Sequence, residues 1–105
     1  MVLVLAALAG CQANTTQLTR QGVHQFQTGQ VDQARESFDQ VFRRDPSNGV
    51  ALYYLGRLAQ LDGFYEQAVY YYQSALDADP SLRDARTWLA RAREELARSR
   101  AAAGL

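Results

Sequence analysis

Three sets of residues in this 105-residue chain carry side chains able to do chemistry. Cys11 is the one thiol, so it can be acylated or oxidised but cannot close a disulfide within the chain. Tyr53, Arg57 and Gln60 are spaced by four and three, which puts an aromatic ring, a guanidinium and an amide on one face of a helix. That set suits recognition, since Tyr and Arg are favoured at binding hot spots. The third set is the titratable groups, and it does not organise into a catalytic site. His24 has no Asp, Glu or Cys within a helical turn, and Glu94 and Glu95 are helix neighbours that point apart. No glycine-rich phosphate loop and no metal-ligand spacing occurs. The expectation is a protein that is not an enzyme and uses no cofactor or metal.

Elements that could position such a face follow from composition. Ala, Leu, Gln, Arg and Glu dominate, only two prolines occur, and these residue types favour helix. Eleven basic and eleven acidic residues cancel, which gives no electrostatic footprint for nucleic acid. Every basic residue apart from His24 is Arg.

The chain repeats itself. Gly29 to Pro46, GQVDQARESFDQVFRRDP, aligns with Gly63 to Pro80, GFYEQAVYYYQSALDADP, at a constant offset of 34 residues. Gly29 pairs with Gly63, Ala34 with Ala68, Phe38 with Tyr72 and Pro46 with Pro80; upstream, Leu18 pairs with Leu52 and Gly22 with Gly56. A 34-residue period built of two helices resembles the tetratricopeptide repeat. The resemblance covers residues 15 to 80 and is weaker in the first copy, where Gln21 and Gln25 stand for Leu55 and Ala59.

The resemblance implies an all-α fold of antiparallel helical hairpins stacked as a short solenoid, with a C-terminal capping helix. Repeats are expected over residues 15–48 and 49–82, and the cap and a frayed tail over 83–105. Helices are expected near 15–28, 31–44, 48–62, 65–78 and 82–101. Gly22 and Gly56 are expected where a partner backbone passes close, and Gly29 and Gly63 at positive φ in the turns. Ala34 and Ala68 should sit at tight crossings. Phe38 and Tyr72 should fill the volume between repeats, and Pro46 and Pro80 should end the second helices. Ser81 with Asp84 reads as a capping box for the last helix. Its apolar stripe is Leu82, Ala85, Leu89, Ala92 and Leu96, with Trp88 beside it.

First helices of such stacks line a concave face. The residues expected there are Thr19, Val23 and Phe26, then Tyr53, Arg57 and Gln60, then Thr87, Arg91 and Glu94. Some members of the family clamp a terminal carboxylate with Lys and Asn, but this chain has no Lys, which argues against that role. All six tyrosines lie between residues 53 and 72. Of Tyr70 and Tyr71, one should be exposed, either as a helix-packing aromatic or as part of a partner or sugar-stacking patch.

Residues 2 to 9 form an uncharged apolar run that is too short to span a membrane and suits a secretory leader. It ends Leu8-Ala9-Gly10-Cys11 and turns polar at once. This resembles the lipobox of bacterial lipoproteins, which implies cleavage before Cys11 and a diacylglycerol on its thiol. By the same resemblance, Gln12 instead of Asp favours the outer membrane, facing the periplasm. The pattern departs in one respect, since no Lys or Arg precedes the apolar run. Residues 12–14 are expected as a short tether, which at about 3.5 Å per residue keeps the domain within roughly 15 Å of its anchor.

Together these residues suggest a lipid-anchored scaffold or adaptor of the bacterial envelope that binds a protein partner, in pilus or secretin assembly or beside a cell-wall enzyme. Two alternatives stand beside it: an oligomerising envelope lipoprotein without a peptide ligand, and a soluble cytosolic repeat protein with a misassigned start. Two repeats and a cap fall short of the three usually needed, so self-association is also open.

Overall fold

The computed structural model describes the backbone of residues 2–104 and the side chains of residues 14–104. Among the described residues there are five helices and no strand. They are α1 (Val2–Gln27), α2 (Val31–Arg44), α3 (Gly49–Leu61), α4 (Tyr65–Ala78) and α5 (Arg83–Ala102). The chain divides into two compact units at the Pro46–Ser47 junction. The first holds the α1–α2 hairpin. The second holds the α3–α4 hairpin with α5 packed mainly on α4.

Both hairpins turn by the same device. Gly29 and Gly63 adopt φ of 82° and 79°, a region that costs a side-chain-bearing residue but not glycine. The turn then satisfies the carbonyls left over at the helix end. Gly29 N–H donates to Phe26 and Gln30 N–H to Gln25, while Gly63 N–H donates to Gln60 and Phe64 N–H to Ala59. Each second helix stops before a proline. Asp45 and Asp79 take extended conformations with φ of −140° and −146°, as the pyrrolidine ring requires of its predecessor.

The second helices carry one buried stripe in identical register. Ala34, Phe38 and Val41 of α2 correspond at the 34-residue offset to Ala68, Tyr72 and Ala75 of α4, and all six are fully buried. The residues facing them correct two expectations. Gly22 and Gly56 are bare because an aromatic ring lies on them, not because a helix backbone does. A Cβ at Gly22 would stand 2.8 Å from the Phe38 ring, and one at Gly56 would stand 2.6 Å from Tyr72. Within its own hairpin Phe38 packs on Gly22. Tyr72 packs on Gly56 and also clusters with Leu89 and Ala92 of α5.

Two other expectations change. Ser81 does not cap α5. Its N–H and hydroxyl both donate to Asp79 Oδ1, at 3.0 and 2.6 Å, and the N-cap position falls on Leu82, which makes no side-chain cap bond. The side-chain cap appears instead at α3, where Asn48 Oδ1 accepts from Ala51 N–H at 3.0 Å. At the amino end α1 runs on through residues 2–14, so residues 12–14, expected as an extended tether, are helical and rise only about 1.5 Å each. The side chain of Cys11 lies outside the described residues. No described helix is long and apolar enough to cross a membrane.

The ring-on-glycine contact makes a prediction whose sign is informative. In an open helix Gly→Ala stabilises by about 1 kcal/mol. Gly56→Ala should instead destabilise by about 1–3 kcal/mol, because the new methyl meets the Tyr72 ring. Urea denaturation followed by circular dichroism measures it, and an unchanged or raised midpoint would count against this packing.

Candidate protein-interaction site

In the second unit α3 and α5 present their side chains side by side, and the site begins at one indole. Trp88 immediately precedes Leu89 of the buried stripe of α5, and its ring lies half-buried at the edge of the core cluster of Ala59, Ala68, Tyr72, Leu89 and Ala92. The Arg57 guanidinium of α3 lies over that ring with its carbon 3.6 Å from the centroid, and that of Arg91 lies over it at 4.6 Å. Both are cation–π distances. One turn earlier on α3, Tyr53 Oη accepts a hydrogen bond from Arg57 Nη1 at 3.2 Å. The Tyr53 ring packs on Tyr54 and Tyr72 at centroid distances of 4.9 and 6.0 Å. Three aromatic rings and two cations thus form one continuous surface.

Beneath it a chain of polar contacts ties three helices. Tyr72 of α4 donates its hydroxyl to Gln60 Oε1 at 2.6 Å, and Gln60 Nε2 donates to Glu95 of α5. Burial pushes the Tyr72 phenol well above its usual range, and Tyr53 and Glu95 add to the shift against the opposing charge of Arg57. Tyr54 is raised for the same first reason, burial, and next by Tyr53. No buried side-chain polar atom among the described residues lacks a partner.

Tyr53, Arg57 and Gln60 of α3 and Arg91 of α5 are therefore gathered on one face. Glu94 is not. It is exposed and pairs with Arg98 one turn along α5, while Glu95, which sequence spacing passed over, reaches Gln60. Thr87 is exposed on α5. Thr19, Val23 and Phe26 lie on α1 in the first unit, all half-buried, with Thr19 Oγ1 donating back to the Thr15 carbonyl at 2.8 Å. Trp88 is the largest omission from the sequence-based set, and its signal was present: it is the one tryptophan, three residues before Arg91.

The first hairpin solves its own polar problem differently. Gln25, which reads as a weak point of the repeat, accepts a 2.6 Å bond from the hydroxyl of buried Ser37. A second apolar surface lies at the α3–α4 turn. Leu61 and Phe64 are 62% and 57% exposed there. Phe64 edges an open cavity of about 330 Å³ also lined by Tyr65 and Leu96. Tyr70, 67% exposed, meets Tyr71 edge-on at 5.9 Å. Among the described residues no group of three potential metal ligands occurs.

Paired helices at a 34-residue period, with glycine and alanine at the crossings and the exposed specificity carried by first-type helices, define a helical-repeat interaction module. A family model for the tetratricopeptide repeat matches residues 19–83, more than half of the chain, and the chain belongs to that family. The family is a non-catalytic protein-interaction fold. No curated protein matches the chain.

The buried phenol makes a pH prediction. An unfolded tyrosine ionises near pH 10, whereas folded Tyr72 keeps its proton to higher pH. Above about pH 10 the native state binds more protons than the unfolded state, so stability falls as pH rises. Tyr72→Phe should lose about 1 kcal/mol at pH 7 through the missing bond to Gln60 and show a shallower loss between pH 10 and 12. Denaturation midpoints across that range decide it, and parallel curves for the two proteins would refute the assignment.

Proposed function

We propose that the protein is a lipid-anchored interaction module of a bacterial cell envelope, holding a peptide or helix of an envelope partner on the α3–α5 face of its second unit. One observation carries the binding half: Arg57 rests on Trp88 and is held there by Tyr53. These are the three residue types most enriched at binding hot spots, and their mutual contacts limit the side-chain ordering that binding would otherwise cost. Leu8-Ala9-Gly10-Cys11 and the polar run behind it support the anchor. A diacylglycerol on Cys11 with a third chain on its amine would anchor stably, since two chains already suffice. Gln12 favours the outer membrane, and a short path from Cys11 to the repeats keeps the face near the bilayer, so the partner belongs to that membrane or its surface. Assembly factors of pili or secretins and cell-wall enzymes are the partner classes this fits.

The two halves are tested separately. A double variant, Tyr53→Ala with Arg57→Ala, should lose the partners that the full chain captures from envelope extracts, and an unchanged partner list rejects the face. Cys11→Ser should abolish palmitate labelling and move the protein out of the membrane fraction; undiminished label in that fraction rejects the anchor.

A further inference from the structure

We infer that Asn48 is a site of covalent self-modification, losing its side-chain amide through a succinimide formed with the Gly49 nitrogen, and that the folding of α3 gates the reaction. It depends on neither the binding face nor the anchor. Asn48-Gly49 is the one Asn-Gly pair in the chain, and the other asparagine, Asn14, precedes the bulkier Thr15.

The fold requires both residues of the pair. Asn48 is the N-cap of α3, and its Oδ1 accepts from Ala51 N–H at 3.0 Å. Packing holds the next position to glycine. A Cβ on Gly49 would stand 3.1 Å from Leu82 Cδ1 and 3.2 Å from Asp79 Cβ, where the chain passes from α4 to α5. Cap and close packing thus select a dipeptide that is prone to attack by backbone nitrogen on the side-chain amide, because glycine places no side chain beside the nucleophile.

The reaction balances with water as the one co-reactant. The Gly49 nitrogen gives up its proton and bonds to Asn48 Cγ. The Cγ–Nδ2 bond breaks, and Nδ2 leaves with a proton as ammonia. Water then opens the five-membered imide. Attack at Cγ restores the main chain and leaves aspartate. Attack at the main-chain carbonyl carbon leaves isoaspartate, with the chain running through Cβ and Cγ.

Folded geometry holds this step back. Ring closure needs the Gly49 nitrogen to eclipse Cβ about the Asn48 Cα–C bond. At the observed ψ of 107° the nitrogen is turned well away from Cβ. The eclipsed setting lies outside the main allowed regions, and reaching it swings Oδ1 off Ala51 N–H. Gly49 N–H is in the first turn, whose donors have no intrahelical acceptor, so its nitrogen is available once the cap opens. Modification therefore proceeds from molecules in which the head of α3 has opened locally, and the product records time spent open. Aspartate caps as well as asparagine, and its charge suits a helix N-terminus. Isoaspartate adds a methylene to the main chain and displaces the cap oxygen, at the head of the helix that carries Tyr53 and Arg57.

Tryptic mass mapping of the aged full chain tests this. Cleavage after Arg44 and Arg57 releases residues 45–57, in which Asn48 has the one side-chain amide. On incubation at mildly alkaline pH this fragment should gain the mass difference between NH2 and OH. It should split into two species, one of them a substrate of isoaspartyl methyltransferase. In urea beyond the unfolding midpoint the gain should be at least tenfold faster than in buffer, with a synthetic peptide of residues 45–57 correcting for the solvent. Asn48→Ser keeps a capping side chain without an amide, and its fragment should show no gain. Asn48→Asp should match or exceed the parent in urea midpoint, whereas purified isoaspartate chains should fall below it. A fragment unchanged even in the unfolded chain would overturn the site. Equal corrected rates in folded and unfolded chains would overturn the gate, and with it the inference.

Discussion

A flat ring lying on bare backbone sets the geometry of each hairpin. Phe38 on Gly22 and Tyr72 on Gly56 bring the two helices closer than any pair of side chains would allow. The glycine costs about 1 kcal/mol of helix propensity, and the loss is recovered as dense contact around a fully buried aromatic residue. One turn earlier on each second helix a fully buried alanine, Ala34 before Phe38 and Ala68 before Tyr72, keeps the crossing narrow. With the crossing fixed there, the turn glycines need only reverse the chain. The stripe of Ala75 or Val41 further along follows from helical spacing alone.

In the second unit the same ring does more, because tyrosine brings a hydroxyl that phenylalanine lacks. That hydroxyl cannot be left unpaired in the core, and Gln60 receives it. Gln60 then has an amide to satisfy, and Glu95 of α5 accepts from it. A packing choice inside one hairpin thereby becomes a polar tie to the next helix. The tie runs directly beneath Tyr53, Arg57 and Trp88. The interaction surface is consequently built on residues whose positions are set by core packing. In the first unit Phe38 makes no such demand, and Gln25 is free to pair with Ser37.

What could be read from the sequence follows from which constraints are written twice. Gly22 with Gly56, Ala34 with Ala68 and Pro46 with Pro80 occur at one offset, and each has a mechanism that a single chain reveals. They place the hairpins and the turns at Gly29 and Gly63, and the spacing of Ala85, Leu89 and Ala92 places the stripe of α5. Contacts that depend on which atom arrives from a distant helix were not legible. Close approach at Gly56 is visible, but not whether backbone or a ring causes it. The repeat register equates Gln60 with Glu94, yet α5 meets Gln60 through Glu95, one residue on. Ser81 has the chemistry of a helix cap, and Asp79 captured it first in a tighter local turn. Trp88 under Arg57 joins residues 31 apart, beyond any local pattern.

The last helix has two duties that pull in different directions. As the end of a repeat array it must turn a polar side outward, and Arg86, Arg93 and Arg98 are exposed accordingly. As half of an interaction face it must hold Trp88 and Arg91 in fixed positions against α3. Both follow from the narrowness of its buried stripe. Ala85, Leu89 and Ala92 are small enough to seat the helix deeply, and they leave it one rotational setting. A shift of one residue turns an α-helix by about 100°, which would bury Arg86 or Arg93 and swing Arg91 away from the indole. Burying an unpaired guanidinium costs far more than a surface cation–π contact returns. The capping stripe, and not the contact between Arg91 and Trp88, is therefore what keeps the two arginines over the same ring.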